Sequence, residues 1–436
     1  MQTLKIFPSQ LSGEIIVPPS KVILHRALVC AAMSTGVSNI KNILFSHDAL
    51  AMIGAVEALG ADITKNDDSI TVKGIFAEDN KIKMKKNRTI DCIESVDTLL
   101  LTIPLSLVFG GKTKFIGEKD LTRVPLDEYF KIFDEENISH KDGNEILNLE
   151  LSGTLCNGEY SLKGNTASQF LNGLLLALPL ANGDSKISIT GNLDLKSDVD
   201  MTLDIMSHFG IKISNDDNTR YNIWGNQKYK PNDLTIEGDH TYAGFLFACG
   251  ALGSNINVIG LEDASIQPDK EIINILMKMG AKMIRGRSGI KIKANANELN
   301  RTTIDAGQCP DFFPIYTIIS ALSVGGAEIV NIGRLKLKEG AMVENTISEL
   351  LKLGIQISEK DDSIVISGTS KLNGGVEVWS HRDYRIAMAM VVAATRCESA
   401  IVLRDCDCIS AIYPDLFNDL KELGGKFDEL IDKDNS

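Results

Sequence analysis

Charged side chains that could grip an anion or carry a proton are spread along this chain, few of them adjacent. Lys21 and Arg26 follow Pro18-Pro19-Ser20, Arg123 precedes Val124-Pro125, and Ser168-Gln169 follow Gly164-Asn165-Thr166-Ala167. Asp311 follows Cys309-Pro310, Lys338-Glu339 are neighbours, and Arg385 follows Asp383-Tyr384. An arginine offers a carboxylate or phosphate a planar fork of donors, and a lysine offers a compact charge. A carboxylate can relay a proton when its pKa lies near the working pH. Each residue also has a plainer reading: a solvated lysine after a turn, a helix-surface arginine, polar residues at a helix start, a Pro-Asp turn, an exposed Lys-Glu pair.

Composition narrows the class. The chain has 436 residues, 44% hydrophobic and 24% charged, the balance of a soluble protein with two domains of roughly 200 residues each. Eight scattered cysteines, most inside apolar stretches such as Phe247-Ala248-Cys249-Gly250, fit a reducing compartment. Cys406 and Cys408 form the one close pair, without zinc-like spacing to a histidine or a second pair, so no metal is expected. A formal charge of −13 argues against a nucleic-acid partner. The one basic cluster, Lys81-Ile82-Lys83-Met84-Lys85-Lys86-Asn87-Arg88, alternates like the polar face of a surface strand. No apolar run approaches about 18 residues, and Met1-Gln2-Thr3-Leu4-Lys5 lacks a signal pattern. No membrane partner is expected, and the location is read as cytoplasmic.

The elements that position these residues repeat. An apolar helix end, a glycine and a short alternating strand recur at Gly60, Gly210, Gly280, Gly354 and Gly424, with a weaker, glycine-free copy at Phe133–Ile138. The spacing is about 70 to 76 residues, so six copies fill the chain. Each glycine suits the position after a helix, where positive φ penalises a Cβ. Ile63–Val72 and Ile357–Ile366 read as near-duplicate hairpins, and Asp269–Leu276 as a helix. Six units of a helix plus strands are too many for one core, which gives three per domain. Breaks at Pro18-Pro19-Ser20 and Glu237-Gly238-Asp239-His240 set the borders. One domain is expected from 1–19 plus 239–436 and the other from 20–238, joined by strands near 19–21 and 237–240.

Five stretches carry a family resemblance. They are Pro18–Leu28, Gly164–Leu171, Glu237–Asp239, Cys309-Pro310-Asp311 with Lys338-Glu339, and Asp383–Met388. In order and spacing the chain resembles the EPSP synthases, a family of enolpyruvyl transferases, along its whole length. The resemblance implies an α/β fold of two inside-out α/β barrel domains, each of three repeats. It implies an enzyme that closes on two small anionic substrates, shikimate 3-phosphate and phosphoenolpyruvate, and needs no cofactor. A monomer is expected. It implies Lys21 at phosphoenolpyruvate, Arg26 on the acceptor carboxylate, Ser168 on the 3-phosphate and Gln169 near the reacting centre. Asp311 would be the base, Glu339 with Lys338 the proton shuttle, and Arg385 a clamp on the phosphoenolpyruvate carboxylate.

The departures from the family pattern cluster. The N-(S/A)-G-T loop reads Glu94-Ser95-Val96-Asp97, which sets a β-branched residue and a carboxylate where a phosphate should approach the backbone. Val124, Met342 and Ala411 stand where cations are expected, with Arg123 the candidate substitute for the first. On the acceptor side Val22 and Ala167 replace serines, and Leu195-Lys196-Ser197-Asp198 lacks a ring-stacking tyrosine and a phosphate-binding serine. Two other readings use the same residues: an enzyme acting on another phosphorylated or carboxylated cyclic polyol without phosphoenolpyruvate, and a non-catalytic anion-binding relative. The sugar-nucleotide enolpyruvyl transferases fit less well, because no cysteine stands near Gly117–Asp120.

Overall fold

The recurring glycines sit just past helix ends in the left-handed conformation, with φ of 111° at Gly60, 80° at Gly210, 96° at Gly280, 80° at Gly354 and 94° at Gly424. In the glycine-free copy Asn137 takes that role at φ 55°, after the helix Asp127–Glu135. Asparagine tolerates this region better than other residues that carry a Cβ. The computed structural model describes residues 2–77, 86–143, 146–164, 167–286, 289–293, 299–307, 309–410 and 412–430. Most of the basic cluster, Lys81 to Lys85, lies outside the described residues, as does Ala411.

Among the described residues six four-stranded sheets share one topology. An outer strand pairs parallel with a second, the second antiparallel with a third, and the third antiparallel with a fourth. The sheet of Asn87–Asp91, Lys112–Gly117, Leu147–Ser152 and Ser139–Lys141 is representative. A parallel pair cannot be joined by a tight turn, so the helix Val96–Val108 crosses over between its first two strands. A second helix, Asp127–Glu135, leads to the final hairpin. The repeating unit is therefore two helices and four strands, larger than the helix and hairpin visible in the sequence.

The chain forms two compact units, Met1–Pro18 with Glu237–Ser436, and Pro19–Ile236, each with its own apolar core. In the first unit the sheets begin at Ser12–Ile16, Thr303–Asp305 and Glu377–Trp379. In the second they begin at Leu234–Thr235, Asn87–Asp91 and Glu159–Lys163. The amino-terminal strand Thr3–Phe7 completes the last sheet of the first unit, between Ile401–Arg404 and Lys426–Leu430.

Crossover helices are buried on nearly every side. Ten of twelve residues of Lys21–Ala32 and all nine of Phe313–Ala321 are buried. Apolar composition all round a helix is what such a position requires. Strands instead alternate, as in Asn87–Asp91, where Arg88 and Ile90 face inward and their neighbours outward. Among the described residues no helix is long and apolar enough to cross a membrane.

Replacing Gly354 by alanine forces a Cβ into a left-handed residue and against the Asn373 side chain. A loss of about 1–2 kcal/mol is expected in denaturant unfolding. Asn137→Gly in the same assay should be neutral or slightly stabilising.

Candidate functional site

Each crossover helix starts just beyond the end of a parallel strand, where unbonded backbone N–H groups and the helix dipole favour negative charge. Most of the candidate residues fall at or beside these starts. Lys21 and Arg26 lie on Lys21–Ala32, Asp97 on Val96–Val108, Ser168 and Gln169 on Ala167–Ala177. Asp311 lies in the 3-10 turn Pro310–Phe312 that leads into Phe313–Ala321, and Arg385 is the second residue of Tyr384–Ala394. Gln169 is exposed. The side chains of Ser168 and Lys338 lie outside what the structure describes.

In the unit Pro19–Ile236, Lys21 and His25 are four residues apart and share a helix face. Lys21 Nζ donates to Asp48 Oδ2 at 2.7 Å, and His25 Nδ1 lies 3.3 Å from Asp97 Oδ2. The His25 ring is fully buried and its Nε2 has no hydrogen-bond partner among the described residues. Burial alone would raise the Asp97 carboxyl. The bond to His25 and the charges of His25, Arg26 and Lys21 outweigh it and hold Asp97 well below the usual carboxylate range. Asp48 behaves alike: burial raises it, while Lys21 and His25 more than compensate. The Asp97 carboxylate, expected beside a bound anion, is thus engaged by a histidine of the neighbouring helix.

Arg26 faces another way and is only 2% exposed. Its Nε donates to Thr202 Oγ1 at 2.6 Å, Nη1 to the Val22 carbonyl at 3.1 Å and Nη2 to Asp198 Oδ1 at 2.7 Å. Asp198 and Thr202 are one turn apart on the helix Lys196–His208, so one face supplies both acceptors. The other Asp198 oxygen accepts from Asn172 Nδ2 at 2.5 Å. Arg123 is exposed at the end of the short 3-10 helix Lys119–Arg123, and the adjoining Val124 packs against the unit's core.

In the other unit one guanidinium gathers three carboxylates. Arg385 Nη1 donates to Asp311 Oδ1 at 2.7 Å and lies 2.5 Å from Glu339 Oε2. Its Nε and Nη2 meet Asp383 at 2.9 and 2.6 Å. Asp383 also caps its helix, accepting from the Arg385 backbone N–H at 2.9 Å. Glu339 reaches this cluster from a break inside Gly333–Lys352, where its own φ and ψ of −134° and 40° are non-helical. Burial lowers the Arg385 pKa, but Asp311, Asp383 and Glu339 more than reverse that and hold it well above the ordinary value. Glu339 is raised, chiefly by burial; Arg385 opposes this and Asp311 adds to it. A carboxyl raised in this way keeps more of its proton near neutrality, as a proton carrier requires. Met342, where the family pattern has a cation, is buried in the core of this unit.

Asp48, Asn172 and Thr202 belong to these networks but were not singled out from the sequence, and His25, Asp198 and Asp383 stood out only as members of longer segments. Only Asp383, just ahead of a helical stretch, carries a local capping signal; the others are tertiary partners. Among the described residues no group of three or more His, Cys, Asp or Glu side chains could hold a metal ion.

Asp97 supplies a pH test. Its folded pKa is depressed, so its contribution to stability is fully present above the unfolded value of about 4 and is lost as pH falls toward the folded one. Asp97→Asn should be clearly less stable than wild type in denaturant at pH 7, with the gap narrowing at pH 3. An equal gap at both pH values would show that ionised Asp97 does not stabilise the fold.

Three comparisons with known proteins agree. The family model for EPSP synthase (3-phosphoshikimate 1-carboxyvinyltransferase) matches residues 7–420. A 3-phosphoshikimate 1-carboxyvinyltransferase of Clostridioides difficile is 45% identical over 435 residues, covering 98% of this chain and 99% of that protein. Its counterpart in Clostridium beijerinckii is 46% identical over 434 residues, with the same coverage. Among solved structures, EPSP synthase from Acinetobacter baumannii superposes with a TM-score of 0.82 at 20% identity, covering 99% of this chain and all of that one. The enolpyruvyl transferase NikO from Streptomyces tendae gives 0.76 at 17% identity, covering 98% and 99%. At such identities these two structures speak to the fold.

Proposed function

The chain belongs to the EPSP synthase family, and we propose that it transfers the enolpyruvyl group of phosphoenolpyruvate to shikimate 3-phosphate with release of phosphate. The observation that carries this is the end-to-end identity with clostridial 3-phosphoshikimate 1-carboxyvinyltransferases. The reaction is an addition followed by an elimination. The acceptor hydroxyl adds to C2 of phosphoenolpyruvate as C3 takes a proton; phosphate then leaves as C3 gives a proton back. Such chemistry needs one group to take the hydroxyl proton, another to serve the methylene carbon, and cations for the phosphate and carboxylates.

The side-chain arrangement supports a division of roles. Asp311 and Glu339 share one Arg385 nitrogen, and the raised Glu339 suits the carbon proton while Asp311 takes the hydroxyl proton. Lys338 assists Glu339. Arg385 holds the phosphoenolpyruvate carboxylate and Lys21 its phosphate, with Arg123 standing in for the arginine replaced by Val124. Arg26, Ser168 and Gln169 serve the acceptor. For the fold we propose that the three sheets of each unit form an inside-out α/β barrel around their buried crossover helices. The enzyme acts as a cytoplasmic monomer.

Two measurements test this reading. Phosphate release from phosphoenolpyruvate with shikimate 3-phosphate should be catalysed by the wild type and fall about 10²- to 10⁴-fold in Glu339→Gln; no release by the wild type would overturn it. Phosphoenolpyruvate should bind weakly, because Met342 and Ala411 supply no charge where the family pattern has cations. Two missing charged hydrogen bonds, about 1.5–3 kcal/mol each, correspond to roughly 10²–10⁴ in affinity. Titration into protein saturated with shikimate 3-phosphate measures this, and tight binding would show that other side chains replace the lost cations.

A further inference from the structure

The Arg26 guanidinium is built to receive a carboxylate, and the chain supplies one itself. We propose that Asp198 is an internal stand-in for the acceptor's carboxylate: it holds Arg26 while the site is empty and must yield it when acceptor binds, so residue 198 helps set acceptor specificity. This rests on the reading in which Arg26 takes the acceptor carboxylate. A guanidinium 2% exposed needs a counter-charge, and Asp198 meets it at 2.7 Å. Asp198 is the more accessible partner, with a side chain 20% exposed against 2% for Arg26, so it is the better placed of the two to move.

Three contacts make an exchange practicable. Thr202 Oγ1, which itself donates to the Asp198 backbone carbonyl at 3.1 Å, and the Val22 carbonyl hold Nε and Nη1 without the Asp198 carboxylate, so the fork stays oriented when Nη2 is released. Asn172 already donates to the second Asp198 oxygen, which leaves the displaced carboxylate with a partner. Leu195, in the left-handed conformation at φ 48° just before the helix Lys196–His208, sets the entry of the first turn that carries Asp198. The tyrosine expected at this position from the family pattern brings no charge. Its replacement by aspartate therefore adds a competitor for an anionic acceptor, and the cost falls on carboxylate-bearing acceptors alone.

Calorimetric titration of shikimate 3-phosphate into wild type, Asp198→Asn and Asp198→Tyr tests this, with the methyl ester of shikimate 3-phosphate as the uncharged control. Both variants should bind shikimate 3-phosphate at least about tenfold more tightly than wild type, the scale of one charged hydrogen bond, with no comparable gain for the ester. If a variant is unstable when empty, acceptor should raise its melting temperature by more than it raises that of wild type. Equal or weaker binding by both variants, an equal gain for the ester, or instability that acceptor does not relieve would overturn the proposal. Turnover by wild type without a gain in the variants removes the role of Asp198 but leaves the functional reading standing. Failure of all three proteins to bind shikimate 3-phosphate removes both.

Discussion

A cation withdrawn from water must be met by an anion or by well-aimed carbonyls, because an unpaired buried charge costs several kcal/mol. That constraint organises both candidate sites. Lys21 is answered by Asp48, Arg26 by Asp198 and Arg385 by Asp311, Glu339 and Asp383. The cations that would hold substrate are therefore prearranged and partly neutralised before substrate arrives. In the Arg385 cluster the carboxylates outnumber the guanidinium by three to one, and that imbalance, added to burial, lifts Glu339 toward a useful proton affinity.

The sheets decide where such pairs form. Each begins with a parallel pair, so each needs a crossover helix whose first turn opens beyond the end of a strand. Candidate groups at Lys21, Asp97, Ser168, Asp311 and Arg385 share this location on five different copies of one unit. Repetition thus presents one kind of helix start, with its exposed N–H groups, to many different side chains.

Local features were legible in the sequence because they depend on neighbours. Gly60, Gly210, Gly280, Gly354 and Gly424 betray the helix ends, since few other residues accept positive φ there. The hairpins at Asp62–Lys65 with Ser69–Lys73 and at Ile357–Glu359 with Ser363–Ile366 follow the alternation of their residues. Asn137 made its copy look weaker than it is, because asparagine performs the glycine's task less conspicuously. Pairings across long separations were not legible. Asp97 read as a repulsive neighbour for phosphate because nothing in its surroundings names His25, 72 positions away. Asp198 read as a missing tyrosine, while its bond to Arg26 spans 172 positions. Such partners depend on how helices pack, which residue spacing alone does not encode.

The insertion of one unit within the other bears on how the molecule is made. Pro19–Ile236 is contiguous, so every strand and helix it needs has been synthesised before Glu237. The remaining unit pairs segments made far apart in time: Thr3 pairs with Leu430, and the strand Ser12–Ile16 waits for Asn255–Ile259. Closing loops of that length costs entropy that grows only slowly with length but must be met before the contacts reward it. On the ribosome the inserted unit can fold first, and a folded segment in place of a free one shortens the effective loop that the second unit must close.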